Sequence, residues 1–126
     1  MAFKLKIKHF ILVLLFCTMS YASAQSYKQK ARSNLVKWGV AYCMFKTSTE
    51  PQTTTLYGNA QGAYFELGLH SNEAYQEIKR FIHEYIKSPY QGKEYQDLSI
   101  QKCLDLINNK YYNNKVKYCD RWLIRK

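Results

Sequence analysis

The sequence predicts an all-α protein, a compact bundle of about five helices in a single domain. Three observations lead there. From residue 27 on, apolar side chains recur at steps of three and four over nearly the whole length, which is the signature of amphipathic helices. Both prolines, Pro51 and Pro89, fall between the periodic stretches, where helix breakers belong. The one run that favours a strand, Thr53 to Thr55, is too short to oppose the pattern. A set of helices with one apolar stripe each must bury those stripes against one another, hence a bundle.

Residues 1–24 are expected to lie outside the fold. Lys4, Lys6 and Lys8 precede a short apolar run, Phe10 to Met19, and Ala22 and Ala24 form an A-x-A pattern. This is the layout of a secretory signal peptide, with cleavage after Ala24. A run of about 10 residues falls short of the ~20 that a spanning helix needs, so no membrane span is expected. Cys17 suggests a lipid anchor, but Phe16 stands where a small residue is required. The helical domain is then 25–126, or 102 of the 126 residues.

The first helix is predicted over about 27–47, with Ala31, Leu35, Trp38, Tyr42 and Phe45 on its stripe. Thr47 to Thr55 reads as a loop. Leu56, Ala60, Ala63 and Leu67 mark a second helix near 54–68, ended by Gly68. Gly58 and Gly62 weaken it by roughly 1 kcal/mol each, so they predict close packing against another backbone. Ser71 or Asn72 caps a third helix carrying Ala74, Ile78, Phe81 and Tyr85. Pro89 and Gly92 make Ser88 to Tyr95 a loop. A fourth helix, 97–108, shows Ile100, Cys103, Leu104 and Ile107. A last one shows Tyr112, Val116, Cys119 and Leu123.

Without the signal the chain keeps 16 Lys+Arg against 9 Asp+Glu, densest at Lys110, Lys115, Lys117, Arg121, Arg125 and Lys126. Such charge suits an anionic membrane surface or an acidic protein; for an exported chain, nucleic acid is not expected. His70 and His83 have no ligand spacing around them, so no metal or other cofactor is predicted. Cys43 with either histidine would be the one thiol-hydrolase candidate, but it lies inside a helix with no nucleophile-bearing turn. Glu73, Glu77 and Glu84 repeat along one helix face, and Glu77 and Glu84 each precede a cation by three (Arg80, Lys87). Intrahelical pairing explains them better than glycosidase chemistry. No catalytic residue is assigned, and binding is what remains. The unusual content of tyrosine, with Tyr57, Tyr90, Tyr95 and Tyr111 off the stripes, fits an interface. Cys43, Cys103 and Cys119 permit three single pairings outside the cytosol. A Cys43–Cys103 link would span 60 positions and add ~4 kcal/mol in the chain-entropy model.

Five motifs occur in order: W-G-V-A-Y-C (38–43), G-A-Y-F-E-L-G (62–68), E-A-Y-Q-E-I (73–78), Y-Q-G-K (90–93) and K-C-L-D-L (102–106). Together they resemble the type VI secretion amidase immunity proteins, inhibitors of the fourth family of peptidoglycan amidase effectors. The resemblance implies a periplasmic, all-helical homodimer without enzymatic activity. It would bind a cell-wall amidase and block its cleft, protecting the producing cell. It also implies a Cys43–Cys103 disulfide; Cys119, on the apolar stripe of its helix, then reads as a buried thiol, the alternative being an intermolecular bridge. The Ser88–Tyr95 loop is the first candidate for the cleft, with Tyr90, Gln91, Lys93, Glu94 and Tyr95 as partner contacts. The loop near Asn108 to Asn114 is the second, and the helix of 73–87 would brace the cleft wall. The alternative is a cationic exported protein on anionic membrane or cell-wall polymer, a binding that salt would weaken steeply.

Overall fold

The computed structural model describes residues 2–88 and 98–124. Five α-helices follow in order: α1 (Ala2–Thr47), α2 (Pro51–Glu66), α3 (Asn72–Lys87), α4 (Ser99–Asp105) and α5 (Lys110–Tyr118). Two 3₁₀ turns, Leu106–Asn108 and Cys119–Trp122, extend α4 and α5. Among the described residues there is no strand, only an isolated bridge between His70 and Leu123. The described residues from 31 onward form one compact unit, and residues 2–30 are a helical unit of their own. The helix therefore begins far ahead of residue 27, because the leucines, lysines and methionine before it also favour helix.

The core is built on the predicted stripe of α1. Ala31, Leu35, Trp38 and Tyr42 are all buried, and Phe45 is half-buried at the end. Trp38 stacks on Tyr42 at 5.3 Å and meets the edge of Tyr75 at 4.9 Å. From α3 come Ala74, Tyr75, Ile78 and Ile82, and from α5 and the following turn come Tyr112, Val116 and Cys119. Gly39 is the residue that lets these helices close. A Cβ there would lie 2.0 Å from Tyr112 Oη and 3.0 Å from Ile78 Cγ2. Through that gap the Tyr112 hydroxyl donates to the Val36 carbonyl at 3.0 Å, so a fully buried phenol keeps a partner. Burial also pushes the Tyr112 pKa far up, so the hydroxyl stays protonated.

Cys43 of α1 and Cys103 of α4 form a disulfide, with Cα atoms 5.6 Å apart across 60 positions. Cys119 is free and buried. Desolvation pushes its thiol up to about 11, which makes thiolate scarce and the sulfur inert.

Two helices depart from expectation. No residue of α2 is buried, and Leu56 of its predicted stripe is 66% exposed. The helix is held by its edges instead. Gly58 lies over the Phe45 ring, Phe65 packs on Tyr75 at 4.7 Å, and Asn34 Nδ2 donates to Leu67 O at 2.7 Å. Nothing approaches Gly62 and only the Phe45 side chain approaches Gly58, so the predicted backbone contact is absent at both. The threonine run is helical, with Thr54 and Thr55 donating to the carbonyls of Glu50 and Pro51. Gly68 does not take a left-handed conformation; it makes room for the Tyr75 hydroxyl, which a Cβ would meet. In α4 the predicted face is rotated. Cys103, Lys102 and Leu106 are buried, whereas Ile100, Leu104 and Ile107 are exposed. The disulfide fixes which side of α4 faces α1, and the switch to 3₁₀ at Leu106 turns that side further.

The C-terminal turn is tied back to the rest. Arg32 donates through Nε to Asp120 Oδ1 at 3.0 Å, Ser71 N to Trp122 O at 2.8 Å, and Ile124 N to Leu69 O at 2.9 Å. Beneath these ties lies His70, buried, with neither ring nitrogen hydrogen-bonded. Desolvation lowers its pKa, opposed by Asp120 and aided by Arg32. The unfolded chain therefore takes up the proton first as pH falls. Stability is expected to be full above about pH 6.5, the ordinary imidazole value, and to drop as pH falls from there through the lower folded-state value. Melting curves between pH 7 and 5 check this: His70→Gln should flatten the decline, and equal slopes in both proteins would refute it.

Candidate functional site

The outer face of α3 and the segment Asn109–Lys115 enclose an open groove of about 570 Å³. Glu77, Arg80, Phe81, Glu84, Tyr85 and Ser88 line one side, and Asn109, Tyr111 and Lys115 the other. The 3/4 periodicity of α3 explains this face: its inner side carries Ala74, Ile78 and Ile82 into the core, which leaves the charged and larger aromatic positions at the rim. Asn109 starts α5 by accepting a hydrogen bond from Tyr112 N at 2.9 Å, an N-cap that fixes where Tyr111 stands. Tyr111 is 76% exposed. It is a rigid amphipathic ring presented to solvent beside the half-buried Phe81.

Glu77 is the electrostatic centre of the groove. It accepts from Arg80 and, at 2.8 Å, from Lys115 Nζ of α5. Those two hydrogen bonds, Lys115's first, hold its carboxyl below the usual carboxylate range. The intrahelical pairs expected from spacing are present, Glu77 with Arg80 and Glu84 with Lys87 at 2.7 Å. The expected solvated face is not continuous, however, because the Glu77 side chain is only 15% exposed. Its second partner is 38 positions away, which spacing along one helix does not reveal.

Tyr90, Gln91, Lys93, Glu94 and Tyr95 all lie outside the described residues. Their segment leaves the described chain at Ser88, on the groove's rim. Its two stems are held by one residue, Lys102. The Lys102 Nζ donates to Ile86 O at 3.2 Å and to Ser88 O, capping the C-terminal end of α3. Its backbone N donates to Leu98 O at 2.9 Å, and its carbonyl accepts from Tyr85 Oη at 2.9 Å. The ammonium also lies 5.2 Å from the Tyr85 ring centroid. Burial lowers the Lys102 pKa. A lysine adjacent to a disulfide cysteine on a short helix was the sequence signal for this anchor, hidden by the expectation that lysines face water. The second candidate loop, Asn108 to Asn114, is helical from Lys110 onward. It nevertheless forms the far wall of the same groove, so that second candidate and the α3 brace come together.

A second concavity of about 440 Å³ lies between α1 and α2. It is apolar, with Val36, Val40, Met44, Tyr57 and Tyr64 on its walls and Ile107 at its edge. The exposed Ile100, Leu104 and Ile107, at steps of four and three, carry an apolar stripe up to that edge.

Of the chemical candidates, Cys43 has no free thiol. His83 shares a hydrogen bond of 2.8 Å with the Tyr42 hydroxyl. Among the described residues no three His, Cys, Asp or Glu side chains gather as metal ligands, and no helix is long and apolar enough to cross a membrane. The model of the type VI secretion system (T6SS) amidase immunity protein family, Tai4, matches residues 33–116. No curated protein matches the chain.

Proposed function

The chain belongs to the type VI secretion system amidase immunity protein family, and from that premise we propose that it binds a peptidoglycan-cleaving amidase effector in the periplasm and inhibits it, protecting the producing cell. The family match over residues 33–116 carries this reading. The matched part contains the whole α3–α5 groove. Export rests on the signal-like residues 1–24, with cleavage after Ala24, and the Cys43–Cys103 disulfide supports an oxidising compartment.

Inhibition on this reading is steric. The Ser88–Tyr95 loop enters the amidase cleft, and the groove face, with Tyr111 and Phe81, seals the rim. A second copy of the chain packs on the apolar stripe of Ile100, Leu104 and Ile107, whose exposure in one chain supports such a cover.

The test is co-expression of residues 25–126 with exported amidases, followed by co-purification, light scattering and peptidoglycan digestion. A stable complex with two immunity chains and no digestion is the expected result. Tyr111→Ala should weaken that complex by about 2 kcal/mol, as loss of a central aromatic anchor does. The triple change Tyr90→Ala, Lys93→Ala, Tyr95→Ala should restore digestion. If the chain ignores every amidase but sediments with anionic vesicles or wall polymer and is released by salt, the cationic-binder alternative stands instead.

A further inference from the structure

The turn Cys119–Trp122 carries a cation held on aromatic rings, just beyond the residues that the family match covers. The Arg121 guanidinium carbon lies 3.6 Å from the Tyr118 ring centroid and 5.5 Å from that of Trp122. The two rings meet edge to face at 5.6 Å. A guanidinium that close to a centroid rests on the ring face, which leaves its N–H fork for a partner. The nearby carboxylates are occupied: Asp120 holds Arg32, and Glu77 holds Lys115 and Arg80. Among the described residues Arg121 has no carboxylate of its own.

The shelf is also fixed in place. Trp122 O accepts from Ser71 N at 2.8 Å, and Cys119 at the start of the turn is fully buried. It continues the groove, because Lys115 lines the groove and sits 5.2 Å from the Tyr118 centroid. Arginine, tyrosine and tryptophan are the side chains that most often anchor protein interfaces.

Resting on the proposed function, we infer that Arg121 is the charged anchor of the amidase interface and receives a carboxylate from the amidase, bidentate, against the Tyr118–Trp122 shelf. A lipid surface fits less well. Asp120 beside the shelf, and Glu73 bonded to Ser71 next to it, oppose an extended sheet of phosphates but admit one discrete carboxylate. The planar fork grips a carboxylate through two parallel N–H donors, which a lysine ammonium does not.

The test uses residues 25–126 and the amidase that co-purifies with them. Arg121→Gln should weaken binding about tenfold or more with an unchanged melting temperature, and Arg121→Lys should recover little of that loss. Tyr118→Leu, which removes the shelf but keeps the charge, should give an intermediate loss. Lys117→Gln, an exposed cation off the shelf, should change affinity less than about twofold. Arg121→Glu should be rescued by an arginine in place of one acidic residue on the amidase. Wild-type chain that binds no amidase overturns the proposed function and this inference with it. Wild-type binding with Arg121→Gln unaffected, or with Arg121→Lys fully active, overturns the inference alone. Loss of binding to phosphatidylglycerol vesicles in Arg121→Gln, with amidase affinity intact, overturns it in favour of a membrane.

Discussion

Cys43→Ala is expected to destabilise the folded chain by about 4 kcal/mol, and Cys103→Ala by the same amount. The bond joins α1 to α4 across 60 positions, and a loop of that size removes much of the unfolded chain's freedom. For a domain of about 100 residues this corresponds to a melting temperature lower by roughly 15–30 °C. The double variant should cost little more than either single one, because one bond is lost in each case. Cys119 will not substitute, since it is buried and its thiol is pushed up to about 11. Thermal melts with and without reductant check the prediction. A reduced protein melting within a few degrees of the oxidised one would sink it.

Gly39→Ala is expected to cost about 3 kcal/mol or more, although alanine normally favours a helix over glycine. The added carbon would stand 2.0 Å from Tyr112 Oη and 3.0 Å from Tyr112 Cζ and Ile78 Cγ2. Tyr112 would have to leave its socket, breaking the hydrogen bond to Val36 O. Overpacking costs about 1–3 kcal/mol and a lost buried hydrogen bond about 1 kcal/mol. Tyr112→Phe alone should cost about 1 kcal/mol. The pair of changes together should cost less than the sum of the two, because removing the hydroxyl clears the worst overlap. Urea titrations of the four proteins give the cycle, and strict additivity would show that the contact is not what limits this position.

The stripes of α1, α3 and α5 were legible because one face of each helix is deeply buried. Ala31, Leu35, Trp38, Ala74, Ile78, Tyr112, Val116 and Cys119 all sit where the 3/4 steps place them. The stripe of α2 was misleading. Its spacing is helical, but Leu56 and Leu67 face solvent, and spacing records period without saying whether a partner helix is present. In α4 a buried lysine and a disulfide decided the orientation, against the apolar count. The groove was half legible. Its α3 wall and Tyr111 were picked out as exposed polar and aromatic positions, while Glu77–Lys115 and Arg32–Asp120, 38 and 88 positions apart, depend on the tertiary fold.

The hydroxyl of Tyr112 on Val36, the bond from Cys103 to Cys43 and the carboxylate of Asp120 on Arg32 all reach back from the last quarter of the chain to its first helix. A ribosome releases α1 long before any of these partners exists. Until then the Leu35–Trp38–Tyr42 stripe can be covered only in part, by α3. Although every element is locally encoded, closure of the core is a late, long-range event. Commitment of this core to the native state therefore waits for the segment that carries Cys103, Tyr112 and Asp120.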